Sequence, residues 1–235
     1  AFSVITDHSR NYKLTVFSEK LIPSYAILDA NLIMTAPQSV AAACGIDALV
    51  HALEAYVSTA ASPFTDAMAE KAMELIGGNI RTYVEDRGKE DAAEAMLVGS
   101  MFAGIAFSWA RLGNVHAMSH PVSAFFNVPH GIANAILLPT IVEYNAITDR
   151  GKYHKIYDYI SEEKIAEEMF APSMLVIAIE ELNASLGIPA SLREVGVKED
   201  KFGAMAEDAM KSGNIAVNPR KSNKDDIIML YQKAF

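Results

Sequence analysis

The pattern of hydrophobic and polar positions changes near residue 36. Before that point, three short runs rich in β-branched and aromatic residues (AFSVI, YKLTVF and YAILD) are separated by polar, turn-like pieces (TDHSRN and SEKLIP). This alternation predicts short β-strands. Because a lone hairpin is only marginally stable in water, we expect these strands to complete a sheet whose other members lie outside this chain.

From residue 37 onward, apolar residues recur at helical spacing. The stripe of the first helix, which starts near 37–39, consists of Val40, Cys44, Leu49, Leu53 and Val57. Further helices are predicted over about 65–84, 91–110, 116–126, 131–147, 173–186, 199–212 and 224–233. The helix over 91–110 is almost entirely apolar from residue 96, which is typical of a central, buried helix. The fold class is therefore mainly α, with a β segment over 1–35 and a helical domain over 36–235.

Charge and composition exclude several classes of function. With 20 Lys and Arg against 29 Asp and Glu, the formal net charge is −9, which argues against nucleic acid as a partner. The longest apolar stretch, 132–142, is too short to cross a bilayer. A single cysteine, Cys44, excludes an internal disulfide and suits a reducing compartment. We therefore expect a soluble, cytoplasmic protein that binds neither nucleic acid nor a membrane.

Histidines cluster in one short stretch of the chain. Three of the six histidines lie between 116 and 130, where an even distribution would place fewer than one. A fourth, His51, follows Asp47 by four residues within GIDALVHALEAY, so both side chains lie on one face of a helix. The surrounding residues are apolar, and a buried carboxylate is costly unless it is paired or ligated.

Each of these features alone has a purely structural interpretation. Asp47 and His51 could form a hydrogen-bonded pair, and the histidines between 116 and 130 could be core residues bonded to backbone carbonyls. Together, one carboxylate and up to four imidazoles from separate apolar helices predict a site for a divalent metal ion. Nitrogen and oxygen ligands without thiolate suit Fe²⁺ or Zn²⁺, and the residue types do not separate the two.

Glycine-rich phosphate-binding motifs are absent from the sequence. No set of the 13 glycines forms GxGxxG or a P-loop, and there is no GxSxG nucleophile motif. Cys44 lies in an apolar helical stretch, where an inert core thiol is more common than a nucleophile. The candidate chemistry of this chain is therefore confined to the histidines and their carboxylate.

Two motifs resemble the iron-containing, or group III, alcohol dehydrogenases: GIDALVHALEAYVS at 45–58 and GNVHAMSHPVSAFFNVPHGIANAILLP at 113–139. The resemblance continues through 186–197 and 218–235, so it covers nearly the whole chain. The family's N-terminal half, a Rossmann-like domain with a glycine-rich turn, has no counterpart here. Together with the absent initial Met, this predicts the C-terminal helical-bundle domain of a two-domain dehydrogenase, in which 1–35 joins the missing nucleotide-binding domain.

The resemblance implies an oxidoreductase that interconverts small alcohols and aldehydes with NAD or NADP and with Fe²⁺ or, alternatively, Zn²⁺. It implies that His120 is catalytic, lying near the nicotinamide and relaying the hydroxyl proton, and that Phe107 lines the pocket for nicotinamide and substrate. Asn214 is expected on a loop bordering the substrate. A homo-oligomer is expected, and the isolated domain is expected to be inactive. The implied metal ligands are Asp47, His51, His116 and His130.

Three alternatives remain at this point. A relative of dehydroquinate synthase or glycerol dehydrogenase would share the fold and use zinc, with fewer ligands than the four matched here. A non-haem oxygenase would use two histidines and one carboxylate on a β scaffold, which the helical pattern opposes. A metal-free helical interaction module would keep its histidines for structural reasons alone. The sequence leaves open the alcohol, the choice between NAD and NADP, the metal and the oligomeric state.

Overall fold

The computed structural model describes residues 2–7 and 12–235 of the chain. Its N-terminal part is an antiparallel hairpin of β1 (Phe2–Asp7) and β2 (Tyr12–Phe17), with Phe2 opposite Phe17. The predicted turn between them falls mostly on 8–11, outside the described residues. The third strand predicted at 25–29 is not formed, because within the described residues this stretch contains neither strand nor helix. Tyr25 and Ile27 are each 91% exposed there.

The rest of the chain is helical, which confirms the predicted fold class. The sequence pattern did not predict the helix that spans KYHKIYDYI, and the helix predicted over 199–212 covers only eight residues. The helices are α1 (Gln38–Val57), α2 (Pro63–Glu85), α3 (Glu90–Ala110), α4 (Asn114–Phe126), α5 (His130–Asn145), α6 (Lys152–Ile160), α7 (Pro172–Ser185), α8 (Phe202–Ala209) and α9 (Lys224–Lys233).

The helix α1 is the centre of the domain. It packs against α2, α3 and α5, and thirteen of its twenty residues are buried. The prediction that the helix over 91–110 is the central one is wrong: α3 turns small residues towards its neighbours and leaves larger ones half-buried at the surface. Trp109 near its end is 73% exposed. From residue 97 onward, the buried residues of α3 are Gly99, Ala103, Ala106 and Ala110, spaced by three or four positions as one helix face requires.

In the part of the chain that the structure describes, α1 and α3 are also long and apolar enough to cross a membrane by length and composition alone. One or two such helices are weak evidence, because the core helices of soluble proteins pass the same test. For α1, 72% of the most apolar window is buried within the protein, as expected of a core helix, against 33% for α3.

The connection between α4 and α5 fixes where α5 begins. Asn127 ends α4 in the left-handed conformation (φ 54°), which asparagine tolerates better than most residues, and Pro129 precedes the first residue of α5, His130. At its second residue, α5 comes so close to α1 that a Cβ added to Gly131 would lie 1.9 Å from the carbonyl oxygen of Ala43. The position therefore requires glycine.

Candidate metal centre

One face of α1 carries three ionisable side chains. Asp47, His51 and Glu54 are spaced by four and then three residues, which places them along the same side of the helix. The side chains of Asp47 and His51 are each 22% exposed, whereas Glu54 is 3% exposed. The face therefore passes from a half-buried pair to a fully buried carboxylate.

The helices α4 and α5 bring two more histidines to this face. From Asp47 Oδ1, the distance is 3.5 Å to His116 Nε2, 3.8 Å to His130 Nε2 and 4.0 Å to His51 Nε2. Asp47, His51 and His116 each offer a ligand atom within 4.8 Å of the others. The structure thus brings together all four residues that the sequence predicts as metal ligands, from three different helices.

Asn134, one turn after His130 on α5, shows what kind of group fits between these atoms. Its Nδ2 donates to Asp47 Oδ1 and lies 3.2 Å from Nε2 of both His116 and His130. Its Oδ1 is buried and has no hydrogen-bond partner among the described residues. A positively polarised amide group therefore occupies a space lined by one carboxylate oxygen and imidazole nitrogens. These donor atoms suit a divalent ion such as Fe²⁺ or Zn²⁺, so the residues present fit a metal.

The electrostatics of the cluster keep two of the four residues in the forms that bind metals. Burial alone would raise the pKa of Asp47, but the hydrogen bond to His116 and the nearby histidines hold it well below its usual range. Burial lowers the pKa of His51 to about 4, so its imidazole is neutral at pH 7. Burial opposes the charging of His116, yet its contacts with Asp47 and Glu54 raise its pKa to about 9. A metal ion would therefore displace a proton from His116.

The other predicted site residues differ in how close they lie to this cluster. Phe107 stacks on His51 with 4.5 Å between ring centroids, and His51 in turn stacks on His116 at 4.6 Å. The ring of His120 lies 5.1 Å from that of His130 and 6.3 Å from that of His116. Asn214 lies in the loop after α8, where its backbone N–H donates to Ser212 Oγ; no hydrogen bond within the described residues joins it to the histidines.

Sequence reasoning missed two residues of the site, Glu54 and Asn134. Glu54 accepts a hydrogen bond from His116 Nδ1 at 2.7 Å, and Asn134 fills the space between the ligand atoms. Both had a signal in the sequence, because Glu54 follows His51 by three residues and Asn134 follows His130 by four. That spacing puts each one on the same helix face as a candidate ligand.

Residues 41–235 match the sequence profile of the Fe-containing alcohol dehydrogenase family, C-terminal part. The chain is 41% identical over 233 residues to 1,3-propanediol dehydrogenase of Citrobacter freundii. It is 40% identical over 235 residues to lactaldehyde reductase of Escherichia coli K12. Both alignments cover 99% of this chain and 60% of the relative, so the chain spans about three fifths of the length of these proteins.

Solved structures give the same similarity. A crystal structure of 1,3-propanediol oxidoreductase superposes with a TM-score of 0.93 at 39% identity, covering 100% of this chain and 62% of the other. An alcohol dehydrogenase from Oenococcus oeni superposes with a TM-score of 0.93 at 36% identity, covering 100% of this chain and 61% of the other.

Proposed function

Because this chain belongs to the Fe-containing alcohol dehydrogenase family, we propose that it forms the metal-binding part of an oxidoreductase that interconverts small alcohols and aldehydes with NAD or NADP. The observation that carries the proposal is the convergence of four side chains on one space. The four side chains come from three helices. The Nε2 atoms of His51, His116 and His130 each lie within 4.0 Å of Asp47 Oδ1. The relatives' names support small alcohol and aldehyde substrates.

The proposed ligand set gives the reaction its chemistry. Asp47, His51, His116 and His130 would hold an Fe²⁺ or Zn²⁺ ion, which would supply Lewis-acid chemistry at the substrate oxygen. Three neutral imidazoles and one carboxylate would leave a net positive charge on the site. We assign to the chain itself the tasks of holding this charge, shaping the pocket and handling the proton.

Two side chains beside the cluster are proposed to serve the substrate. Phe107, stacked on His51, forms an apolar wall that excludes water and borders the nicotinamide. His120 is half-buried one turn after His116, where an imidazole can pass the hydroxyl proton towards solvent. Asn214 is proposed as a residue at the outer border of the substrate pocket, which agrees with its half-buried position in a loop.

The nucleotide is proposed to bind mainly to a Rossmann-like domain that the N-terminal segment, 1–35, would join. The hairpin supports this proposal because it exposes apolar side chains, such as Ile5 at 53% and Leu14 at 50%. The strand β2 lies against α4, so a domain built on this hairpin would lie close to the metal site. We further propose that the intact protein is cytoplasmic and forms a homo-oligomer, as the family commonly does.

The metal site is tested by thermal unfolding of the intact protein with and without metal. Fe²⁺ or Zn²⁺ at about 100 times its Kd is expected to raise the melting temperature by roughly 5–10 °C, because binding to the folded state alone stabilises it. Chelation should reverse the shift. Mg²⁺, which prefers oxygen ligands, should leave the melting temperature unchanged. An equal shift in an Asp47→Ala variant would show that the ion binds elsewhere.

Replacing His120 with alanine is expected to separate proton transfer from metal binding. The variant should keep one metal ion per chain but lose about 100-fold or more in kcat, the usual contribution of a general acid or base. The dependence of kcat on pH should also lose the part that arises from titration of the imidazole. Metal content by mass spectrometry and the rate of NAD or NADP reduction at several pH values check this prediction. If the metal is lost along with activity, His120 is a ligand and the proposed role in proton transfer is wrong.

A further inference from the structure

Glu54 is the most deeply buried carboxylate of the site, and all of its hydrogen bonds go to one helix. Its Oε1 accepts from the backbone N–H of Val115 at 2.7 Å. Its Oε2 accepts from His116 twice, from Nδ1 of the ring at 2.7 Å and from the backbone N–H at 3.3 Å. Within the described residues, no Lys or Arg forms an ion pair with it. The first turn of α4 and the His116 ring therefore compensate this buried charge.

The geometry decides which nitrogen of His116 faces the metal site. Because a carboxylate only accepts, Nδ1 must carry a hydrogen that it donates to Glu54. In the neutral ring this leaves the lone pair on Nε2, the atom that lies 3.5 Å from Asp47 Oδ1. A carboxylate behind the distal nitrogen also makes an imidazole a stronger ligand and fixes the orientation of its ring.

The loop before α4 is shaped to let Glu54 approach. A Cβ added to Gly113 would lie 2.8 Å from Glu54 Oε1 and 2.9 Å from Asn218 Oδ1. Glycine at this position therefore leaves room for two acceptors at the start of α4. The second of these acceptors, Asn218 Oδ1, accepts a hydrogen bond from the backbone N–H of Asn114 at 3.1 Å.

We propose that Glu54 is a positioning residue of the metal centre: it holds His116 in the Nδ1–H tautomer, with Nε2 directed at the metal, while capping α4. The inference rests on the proposed function, because it assumes that His116 is a ligand. It goes beyond that function because it assigns metal affinity to a residue that touches no metal. Hydrogen bonds to an ionised acceptor are stronger than neutral ones, so the negative charge of Glu54 strengthens its hold on the His116 ring.

The variant that tests the proposal is Glu54→Gln, which keeps the shape of the side chain and removes its charge. In the intact protein, competition with a chelator should show that Zn²⁺ binds about 10–100-fold more weakly than to the wild type, the range typical of outer-shell partners of ligating histidines. The matched control is Asn218→Ala, which removes another acceptor from the start of α4 without touching the His116 ring. It should bind Zn²⁺ with nearly wild-type affinity even where its metal-free melting temperature falls.

A spectroscopic measurement on the wild type complements the variants. In Zn²⁺-loaded protein with ¹⁵N-labelled histidine, His116 should show a slowly exchanging, low-field proton on Nδ1, and this proton should move upfield in Glu54→Gln. Three results would overturn the inference. They are wild-type Zn²⁺ affinity in Glu54→Gln, an equal loss of Zn²⁺ affinity in Glu54→Gln and Asn218→Ala, and binding of the metal through Nδ1 of His116. If the wild type binds no Zn²⁺ at all, the proposed function fails, which is a distinct result. The wild-type spectrum alone decides the tautomer if Glu54→Gln does not fold.

Discussion

His116→Ala is expected to lose metal binding almost completely and to destabilise the folded protein as well. The substitution removes Nε2 from the cluster, so the Kd for Fe²⁺ or Zn²⁺ should rise by more than about 100-fold, beyond the range typical of outer-shell changes. It also leaves Glu54, 3% exposed, without the ring that it bonds. Breaking a buried charged pair by removing one partner costs about 3–5 kcal/mol. Both effects come from one side chain because His116 joins the metal site to the core.

His130→Ala separates these two effects. Its ring is 25% exposed and lies in the first turn of α5, so its loss should abolish metal binding with little change in the free energy of unfolding of the metal-free protein. His154→Ala on α6, whose ring contacts Phe170 instead, is the matched control and should retain metal. Metal content by mass spectrometry and urea unfolding measure the two quantities. Full metal content in His116→Ala or His130→Ala would refute the ligand assignment.

Gly131→Ala is expected to have the second large effect, through the backbone. The new Cβ would meet the carbonyl oxygen of Ala43 at 1.9 Å, and a backbone oxygen cannot rotate away as a side chain does. The helices α1 and α5 must therefore separate, at a cost of roughly 3 kcal/mol or more, at or above the upper range for overpacked cores. Because α1 carries Asp47 and His51 and α5 begins with His130, the separation should also weaken metal binding.

Two glycines of α2 provide matched controls for this substitution. At Gly77 an added Cβ would lie 2.1 Å from the carbonyl oxygen of Tyr159, so Gly77→Ala should destabilise the protein but leave the metal affinity of the folded molecules intact. At Gly78 an added Cβ would meet no atom of the described residues within 4 Å, and Gly78→Ala should stabilise the protein by about 0.5–1 kcal/mol. Urea unfolding and metal titration of the three variants check these results. Wild-type stability in Gly131→Ala would contradict the close approach of α5 to α1 at Ala43.

The sequence predicted the helical architecture because apolar spacing is a local signal. It failed where the outcome depended on partners. The third strand at 25–29 had suitable residues but no neighbouring strand among the described residues. The helix α3 had an apolar sequence, but from residue 97 onward only its small residues were buried. The helix α6 was not predicted, although Tyr153, Ile156, Tyr157 and Ile160 follow helical spacing, because polar and charged residues are interspersed among them.

The four proposed ligands could be named from spacing and resemblance, since they carry chemistry that is visible in single residues. Glu54 could not be told apart in this way from an ordinary surface glutamate. Glutamate is almost never fully buried unless it is paired, so its burial could be expected only if its partners were known. Its partners, the ring of His116 and the N–H of Val115, lie about sixty residues away in the chain, and only the packing of α1 on the start of α4 reveals them.

The N-terminal hairpin has a consequence for handling this protein in solution. Within the described residues it is a sheet of two strands, so both outer edges have backbone groups without a neighbouring strand. Apolar side chains such as Val4 and Val16 are exposed on it at 44% and 39%. An open edge with apolar faces is a template for pairing between molecules. A preparation in which nothing covers this hairpin is expected to aggregate as its concentration rises, through β-pairing that leaves the helical bundle and its histidines unchanged.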